Sequence, residues 1–271
     1  MQVRFWGVRG STPTPQKENM RYGGNTSCVE VRTASDEILI LDGGTGIRLL
    51  GQKLDEEFKG RPIHGHIFLS HFHLDHIQGI PFFRPLYDSR NHFTFYYAER
   101  NEPVVDAVAG IMATPYFPVD MSNLPSARTH VSLAEGRIAL ATAQVDIRPL
   151  NHPQGSFGFR ITSDSKTLAY CTDVELGTAW SDTNVKMLAQ NADLLIVDSQ
   201  FKPEELPAHK GWGHSSWQQA VEIGTESHAR QIALFHFNPN HDDTVVEATL
   251  EKAKKLHPNV IAAWEGLEVT I

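Results

Sequence analysis

The sequence has only two cysteines in 271 residues, Cys28 and Cys171, and they stand far apart with no CxxC pair. Two thiols in a chain of this length do not make a disulfide framework, so we expect both to be reduced and interior. The N-terminus also lacks the hydrophobic region of a signal peptide, and no segment approaches 18 continuous apolar residues. These absences predict a soluble, cytoplasmic protein with no membrane span.

An excess of positive charge is also missing. The chain has 24 Lys and Arg against 32 Asp and Glu, which gives a net charge of −8 with His neutral. Proteins whose main task is to grip long nucleic acid usually carry a basic footprint. Long nucleic acid is therefore a disfavoured partner, although a local basic patch stays open.

No internal repeat, low-complexity stretch or linker divides the chain, so residues 1–271 are predicted to form one domain. Most of the chain has strand patterns. Helical spacing occurs once early, within residues 44–58, and twice late, at 215–226 and 243–256. This order predicts two sheets packed face to face with helices outside. The predicted strands are QVRFWGV, SCVEVRT, EILILDGG, HGHIFLS, ALATAQVDIRPL, SFGFRITS, TLAYCTD, ADLLIVDSQ and QIALFHF.

The segment at 80–125 is rich in proline and aromatic residues and reads as an insert near the active site, with a short helix around 103–113. A nucleobase could stack on one of its rings, although core or interface packing is the expected fate of most of them. The rings concerned are Phe82, Phe83, Tyr87, Tyr116 and Phe117.

The densest chemical signal is the stretch IFLSHFHLDHIQG, at residues 67–79. It places His71, His73, Asp75 and His76 just past an apolar strand, where side chains leave the sheet and can converge on an ion. The alternative is a polar turn with solvated histidines. Three more donors, His152, Asp173 and His236, also follow predicted strands. Each of the three is a weak indication of a metal ligand when taken alone. Together with the first four, they give seven groups that could bind two ions.

SHFHLDH, followed later by His, Asp and His in that order, resembles the metallo-β-lactamase superfamily, and ILDGGTG matches the first motif of that superfamily. The resemblance implies an α/β fold, the four-layer αββα sandwich, with a dinuclear metal site at one edge. It implies that His71, His73 and His152 hold one ion, that Asp75, His76 and His236 hold the other, and that Asp173 bridges both. Asp42 would orient the ligands, and its alternative reading is an aspartate that starts a tight turn.

Two further stretches resemble the tRNase Z and cyclic-nucleotide phosphodiesterase branch of this superfamily. In GWGHSSWQQAVEIG, the resemblance makes His214 a catalytic residue together with Asp75, and it places Ser215 and the N–H groups of the following helix at a phosphoryl oxygen. The alternative is that a serine merely caps the helix. In YGGNTSCVEV, Asn25 would shape the substrate-binding wall, and a turn-forming asparagine is the alternative.

Only residues 153–172 separate His152 from Asp173, which leaves no room for the long tRNA-gripping arm of bacterial tRNase Z. We therefore expect a dinuclear metal-dependent phosphodiesterase that hydrolyses a small phosphodiester, a cyclic nucleotide before others, by attack of a hydroxide held between the ions. Alternatives are a tRNA 3′-end processing endonuclease, a thioester or lactone hydrolase, and a non-catalytic binding protein. Zinc is the first choice for the two divalent ions, with manganese or iron as alternatives. The resemblance also implies a homodimer.

Overall fold

A computed structural model describes residues 1–98 and 105–271. Within these ranges the strands of the first half are β1 (Gln2–Gly7), β2 (Cys28–Arg32), β3 (Ile38–Leu41), β4 (His64–Phe68), β5 (His92–Ala98) and β6 (Ala127–Leu133). Those of the second half are β7 (Gly136–Ala139), β8 (Gln144–Leu150), β9 (Ser156–Ser163), β10 (Lys166–Cys171), β11 (Leu194–Asp198), β12 (Ile232–Phe235), β13 (Val260–Ala262) and β14 (Glu268–Thr270). The helices are α1 (Ile47–Phe58), α2 (Leu74–Ile77), α3 (Val105–Gly110), α4 (Ala179–Ala189), α5 (Trp217–Glu226) and α6 (Asp243–Leu256).

The strands form two seven-stranded sheets. The first has the order β14-β1-β2-β3-β4-β5-β6 and the second the order β13-β12-β11-β10-β9-β8-β7. In the first sheet β3 to β6 run parallel, and in the second β10 to β13 do. Parallel strands are typically covered on both faces, which explains why β3 (ILIL) and β12 (IALF) are apolar and buried throughout.

The two sheets pack against each other through aromatic rings. Phe5 of the first sheet lies 6.0 Å from Phe235 of the second, and Phe68 lies 5.5 Å from Phe159, both as ring-centroid distances. Helix α1 covers the outer face of the first sheet with a stripe of residues spaced by three and four positions. Helices α4, α5 and α6 cover the second sheet. The predicted αββα sandwich is therefore confirmed.

Several elements differ from the sequence prediction. Part of the segment read as an insert is strand β5, which lies inside the first sheet between β4 and β6. The stretch ALATAQVDIRPL, predicted as one strand, is the end of β7, a turn closed by the Leu140 N–H on the Ala143 carbonyl at 2.8 Å, and β8. The sequence reading also missed β6, α4, β13 and β14. The predicted helix at 103–113 is observed as α3, while residues 103 and 104 lie outside the described ranges.

The aromatic rings of that segment have different surroundings. Phe83 is fully buried against Phe93 of β5, so this ring has the core packing expected for most of them and cannot stack a base. Phe82 is exposed and packs edge-on against Phe117, with centroids 5.6 Å apart. Tyr116 is 81% exposed. Base stacking on the exposed rings stays a prediction.

Across the described ranges, no helix combines the length and the apolar character that a membrane crossing requires.

Candidate metal centre

The predicted donors lie where strands end, at one edge of the sandwich. Asp42 follows β3, the 71–76 stretch follows β4, Asp173 follows β10 and His236 follows β12. Asp42, Asp173 and His236 each have a left-handed backbone, with φ of 62°, 52° and 62°. Residues other than glycine rarely adopt this conformation, and it recurs at functional sites. At these three residues, the left-handed backbone occurs where the chain leaves its strand and the side chain lies at the same edge of the sandwich.

The first group of donors is formed by His71, His73 and His152. Nε2 of His152 lies 3.0 Å from Nδ1 of His73. Nε2 of His71 is buried and has no hydrogen-bond partner in the described part of the chain. Nδ1 of His152 donates to the Gly213 carbonyl at 2.8 Å, which leaves Nε2 as the acceptor nitrogen on the site side.

The second group is formed by Asp75, His76 and His236. The Nε2 atoms of the two histidines are 3.2 Å apart, and Oδ2 of Asp75 lies 3.2 Å from each of them. The Ser11 N–H donates to the same Asp75 oxygen at 2.7 Å and fixes that carboxylate.

Asp173 stands between the two groups. Its Oδ1 lies 3.7 Å from Nε2 of both His71 and His152. Its Oδ2 lies 3.1 Å from Nε2 of His76 and 3.3 Å from Nε2 of His236. One carboxylate therefore presents one oxygen to each group, which is the arrangement that a bridging ligand needs.

Divalent metal ions fit these side chains. Lone-pair nitrogens that converge to about 3 Å, together with a buried imidazole nitrogen that has no partner, are costly unless a cation lies among them. The ligand atoms of each group lie within 4.8 Å of one another. All the donors are nitrogen or oxygen, which suits zinc, manganese or iron and makes no use of thiolate.

Charge within the cluster moves the pKa values of its members away from their ordinary values. Burial lowers the pKa of His71 well below its ordinary value, and the neighbouring His76 lowers it further. Burial alone would raise the pKa of Asp173, but the histidines around it, His236 first, hold it well below its usual range. Burial alone would lower the pKa of His76, but the carboxylates of Asp173, Asp75 and Asp42 raise it well above its ordinary value.

Asp42, from the first motif, forms hydrogen bonds with residues of the histidine stretch. Its Oδ1 accepts from the Ser70 N–H at 2.7 Å, and its Oδ2 accepts from the Ser70 hydroxyl at 2.9 Å and the Tyr170 hydroxyl at 2.8 Å. The same Oδ2 lies 2.8 Å from Nδ1 of His76. Asp42 therefore orients His76 with Nε2 toward the site, as a carboxylate behind a ligand histidine does.

Removing the Tyr170 hydroxyl tests this buried network. Tyr170→Phe leaves the Asp42 carboxylate, which is fully buried, with one donor fewer. We expect the free energy of unfolding to fall by about 1.5–3 kcal/mol, because hydrogen bonds to charged groups are the stronger ones. Urea denaturation measures the change. Tyr116→Phe, at a tyrosine that is 81% exposed, is the control and should stay within about 0.5 kcal/mol. Equal midpoints for the two variants would refute the role given to Tyr170.

His214 lies beside the second group. Its ring stacks on that of His236, with centroids 5.1 Å apart and planes at 20°. Its Nδ1 lies 2.7 Å from Oδ2 of Asp198 and 3.9 Å from Oδ1 of Asp173. Burial alone would lower the pKa of His214, but the Asp198 carboxylate raises it above its ordinary value.

The sequence reading missed Asp198. It is the last residue of β11, is fully buried, and also lies 3.8 Å from Nδ1 of His236. The signal was present in LLIVD, because an aspartate that ends a buried apolar strand has the same setting as Asp42 and Asp173. Asp198 therefore joins the candidate site as the partner of His214.

Ser215 has a structural position rather than the predicted substrate-binding one. It is fully buried, its hydroxyl donates to the Val174 carbonyl at 2.5 Å, and its N–H donates to Oδ1 of Asp198 at 3.0 Å. The proton of this hydroxyl is therefore used in a hydrogen bond to the backbone and does not point to the metal centre. Ser215 holds Asp198 and the turn after β10 together.

Three N–H groups at the N-terminus of α5 already have hydrogen-bond partners. Ser216 is the N-cap, and its Oγ accepts from the Gln219 N–H at 3.2 Å while its own N–H donates to the Gln219 side chain at 3.0 Å. The Trp217 N–H donates to the Phe201 carbonyl at 3.0 Å. Within the described part of the chain, the cap and the neighbouring backbone thus use the N–H groups of Ser216, Trp217 and Gln219. Binding of a phosphoryl oxygen at the start of this helix stays a prediction.

Asn25 supports a loop that reaches the site. Its side-chain amide donates to Glu265 at 2.8 Å, and its carbonyl accepts from the Arg9 N–H at 3.0 Å. Two residues after Arg9, the Ser11 N–H donates to Oδ2 of Asp75. These contacts give Asn25 a supporting position, and a direct contact with substrate stays a prediction.

The fold and the donor set together define a metal-dependent hydrolase. The family model described as the β-lactamase superfamily domain matches residues 39–237, and the chain therefore belongs to that superfamily.

Similar proteins agree with this family. A ribonuclease Z of Haloarcula marismortui is 21% identical, with 99% of this chain and 96% of that protein covered. The structure of the metallo-β-lactamase fold protein YhfI from Bacillus subtilis gives a TM-score of 0.74 at 19% identity and covers 99% of this chain and 98% of that one. A diphosphatase of the PhnP family gives 0.72 at 16% identity, covering 100% and 97%. At these identities the two structures show a shared fold. The predicted resemblance to the tRNase Z-like branch is confirmed.

Proposed function

We propose that the chain is a phosphodiesterase that binds two divalent metal ions and hydrolyses a small phosphodiester, with cyclic nucleotides as the first candidates. His71, His73 and His152 would hold one ion, and Asp75, His76 and His236 the other. Asp173 would bridge them, and zinc is the first choice of metal. Such ions supply Lewis-acid stabilisation of a phosphoryl group and a more acidic water.

The observation that carries the proposal is the Asp198–His214 pair next to the donors. Because Nδ1 of His214 donates to Asp198, its Nε2 is the nitrogen left to act on a substrate. The stacked ring of His236 and the buried carboxylate fix the plane of His214. We assign His214 the transfer of a proton from Nε2 to the leaving oxygen, a role that departure of a ribose oxygen requires and that the seven donors do not fill.

The length of the chain between two donors supports a small substrate. Residues between His152 and Asp173 form only β9, β10 and their turn. The alignment with the Haloarcula ribonuclease Z extends over 327 positions, although this chain has 271 residues, so that relative contains segments with no counterpart here. A chain without such segments, and with a net charge of −8, is poorly suited to grip a tRNA.

The second candidate is tRNA 3′-end processing, which the name of the Haloarcula relative favours. A screen of metal-reconstituted protein against bis(p-nitrophenyl) phosphate, a panel of 3′,5′-cyclic nucleotides and a precursor tRNA separates the two. We expect turnover of the first two substrate types. Cleavage of the precursor tRNA without hydrolysis of any cyclic nucleotide would favour the second candidate, and inactivity on all three would overturn the proposal.

Adding a methyl group at Gly213 tests the position of His152. Gly213 has φ of +83°, and a Cβ built there would lie 2.2 Å from Nδ1 of His152. We expect Gly213→Ala to weaken metal binding by the first group roughly 10–100-fold, the range for lost support behind a ligand. Metal titration with a chromophoric chelator measures this affinity.

Gly211→Ala is the matched control. Gly211 has nearly the same backbone, with φ of +85°, but a Cβ there meets nothing within 4 Å. The N–H groups of Gly211 and Gly213 both donate to the Glu175 carboxylate, and the two φ values are nearly equal, so the two variants place similar backbone strain on the same loop. Equal losses of metal affinity in the two variants would show that loop strain, and not displacement of His152, is the cause.

A further inference from the structure

A cleft of about 440 Å³ opens beside the first donor group. His71 and His152 belong to its lining, so the cleft is continuous with the candidate metal centre. Its volume lies within the range of small-molecule pockets, roughly 300–1,000 Å³. A substrate whose phosphorus lies at the donors can therefore extend one of its two ester groups into this space.

The described lining of the cleft contains no lysine, arginine, aspartate or glutamate. A second phosphate or a long polyanion would find no cation there to neutralise it. By contrast, a cleft of about 480 Å³ at the C-terminal end of α1 is lined by charged side chains of both signs: Arg61, Arg84, Arg90, Asp55 and Asp88. The space next to the donors thus fits an uncharged group.

Aromatic side chains form much of its surface. Phe72 and Phe157 are partly buried in the lining, whereas Trp180 is 53% exposed. Trp180 is the second residue of α4, whose start is capped by Thr178 and whose Val185 and Leu188 are buried against the second sheet. A tryptophan that is half exposed on an anchored helix offers a flat, preorganised face to a planar ring.

Carboxamide groups complete the lining. Asn151 and Gln154 both contribute to it, and the Asn151 amide is oriented by donation to the Glu175 carbonyl at 3.1 Å. Carboxamides offer both donors and acceptors, which match the edges of heteroaromatic bases. Neutrality, aromatic faces and carboxamides together describe a site for a nucleobase better than one for an aliphatic or charged group.

We infer that this cleft binds the nucleobase of the substrate and that Trp180 is a specificity-determining residue which stacks on it. The inference rests on the proposed function, because the base is attached through its sugar to the phosphodiester held at the donors.

Binding of two probes to the zinc-reconstituted protein tests the inference without requiring turnover. Adenosine 5′-monophosphate and ribose 5-phosphate carry the same phosphate, and only the first carries a base. We expect calorimetry to show at least roughly tenfold tighter binding of the nucleotide, the scale of stacking on one aromatic side chain. Trp180→Ala should abolish this preference, and Trp180→Phe should retain most of it. Equal affinity of the two probes for the unmodified protein, or an undiminished preference in Trp180→Ala, would overturn the inference.

Met187→Ala is the control for changes to α4 itself. Met187 is 49% exposed on the same helix and lines a different cleft. It should leave the nucleotide preference intact, and a matching loss in this variant would count against Trp180. The hydrolysis screen stands apart from these titrations. Tighter binding of the nucleotide without any hydrolysis would refute the phosphodiesterase activity and leave the base-binding cleft supported. Hydrolysis with equal binding of the two probes would support the activity and refute the base-binding cleft.

Discussion

Asp173→Asn is expected to lower the metal content from two ions per chain to one or none and to reduce kcat/KM by more than a thousandfold. The carboxylate of Asp173 presents Oδ1 to the first donor group and Oδ2 to the second. A carboxamide keeps one oxygen but turns an NH₂ group toward the other group, so one set of histidines loses its anion. The loss should exceed the roughly 10–100-fold typical of residues behind the ligands. Elemental analysis after dialysis and steady-state hydrolysis of bis(p-nitrophenyl) phosphate give the two values.

Asparagine is the suitable replacement because the backbone of Asp173 is left-handed, with φ of 52°, and asparagine tolerates that conformation. Circular dichroism should therefore match that of the unmodified protein. As the matched control, Asp164→Asn makes the same change at a left-handed position, φ 51°, in the turn between β9 and β10. It should retain both ions and full activity. If Asp173→Asn kept two ions and normal turnover, the bridging role would be untenable.

The second large effect is expected at His214. His214→Ala should cut kcat by about 10²–10⁴-fold, the usual contribution of general acid catalysis, while both ions remain bound. His214 contributes none of the seven donors. His236, on which its ring stacks, is also held by contacts of Nε2 with Asp75 and Asp173, so we expect the donors to stay in place. Metal analysis alongside turnover separates catalysis from metal binding, and loss of metal from this variant would refute the assignment.

The leaving group gives a finer readout of the same residue. A p-nitrophenolate departs without a proton, whereas a ribose oxygen needs one, so His214→Ala should harm cyclic-nucleotide hydrolysis more than bis(p-nitrophenyl) phosphate hydrolysis. Asp198→Asn should follow the same pattern. The Ser215 and Gln200 N–H groups hold the carboxamide oxygen at the Oδ1 position, so its NH₂ group faces Nδ1 of His214 and favours the wrong tautomer. Equal losses on both substrates would point to a structural role for the pair.

The metal donors could be predicted from the sequence because their signals are local. His71, His73, Asp75 and His76 lie within six residues, directly after an apolar strand. Asp173 and His236 likewise end buried strands, and parallel strands of one sheet bring such ends to one edge. The structure places all seven side chains together. Their roles as ligands remain predictions, as do the homodimer and the cellular location.

Interactions between distant elements could not be predicted in the same way. The Trp217 N–H at the start of α5 donates to Phe201 and the Ser216 N–H donates to the Gln219 side chain. The hydroxyl of Ser215 donates to the Val174 carbonyl. Asp198 was missed because its partner lies across a long loop, at His214. Strand β5 was hidden by its proline-rich neighbours, although its aromatic and β-branched residues are typical of a strand.

The central claim is that seven side chains surround a pair of neighbouring cations. Anomalous diffraction from crystals of zinc-reconstituted protein, recorded at the zinc edge, tests it most directly. The account predicts two peaks about 3.5–4 Å apart, with Asp173 between them and three further donors around each. A map with a single peak or none at these side chains would contradict it.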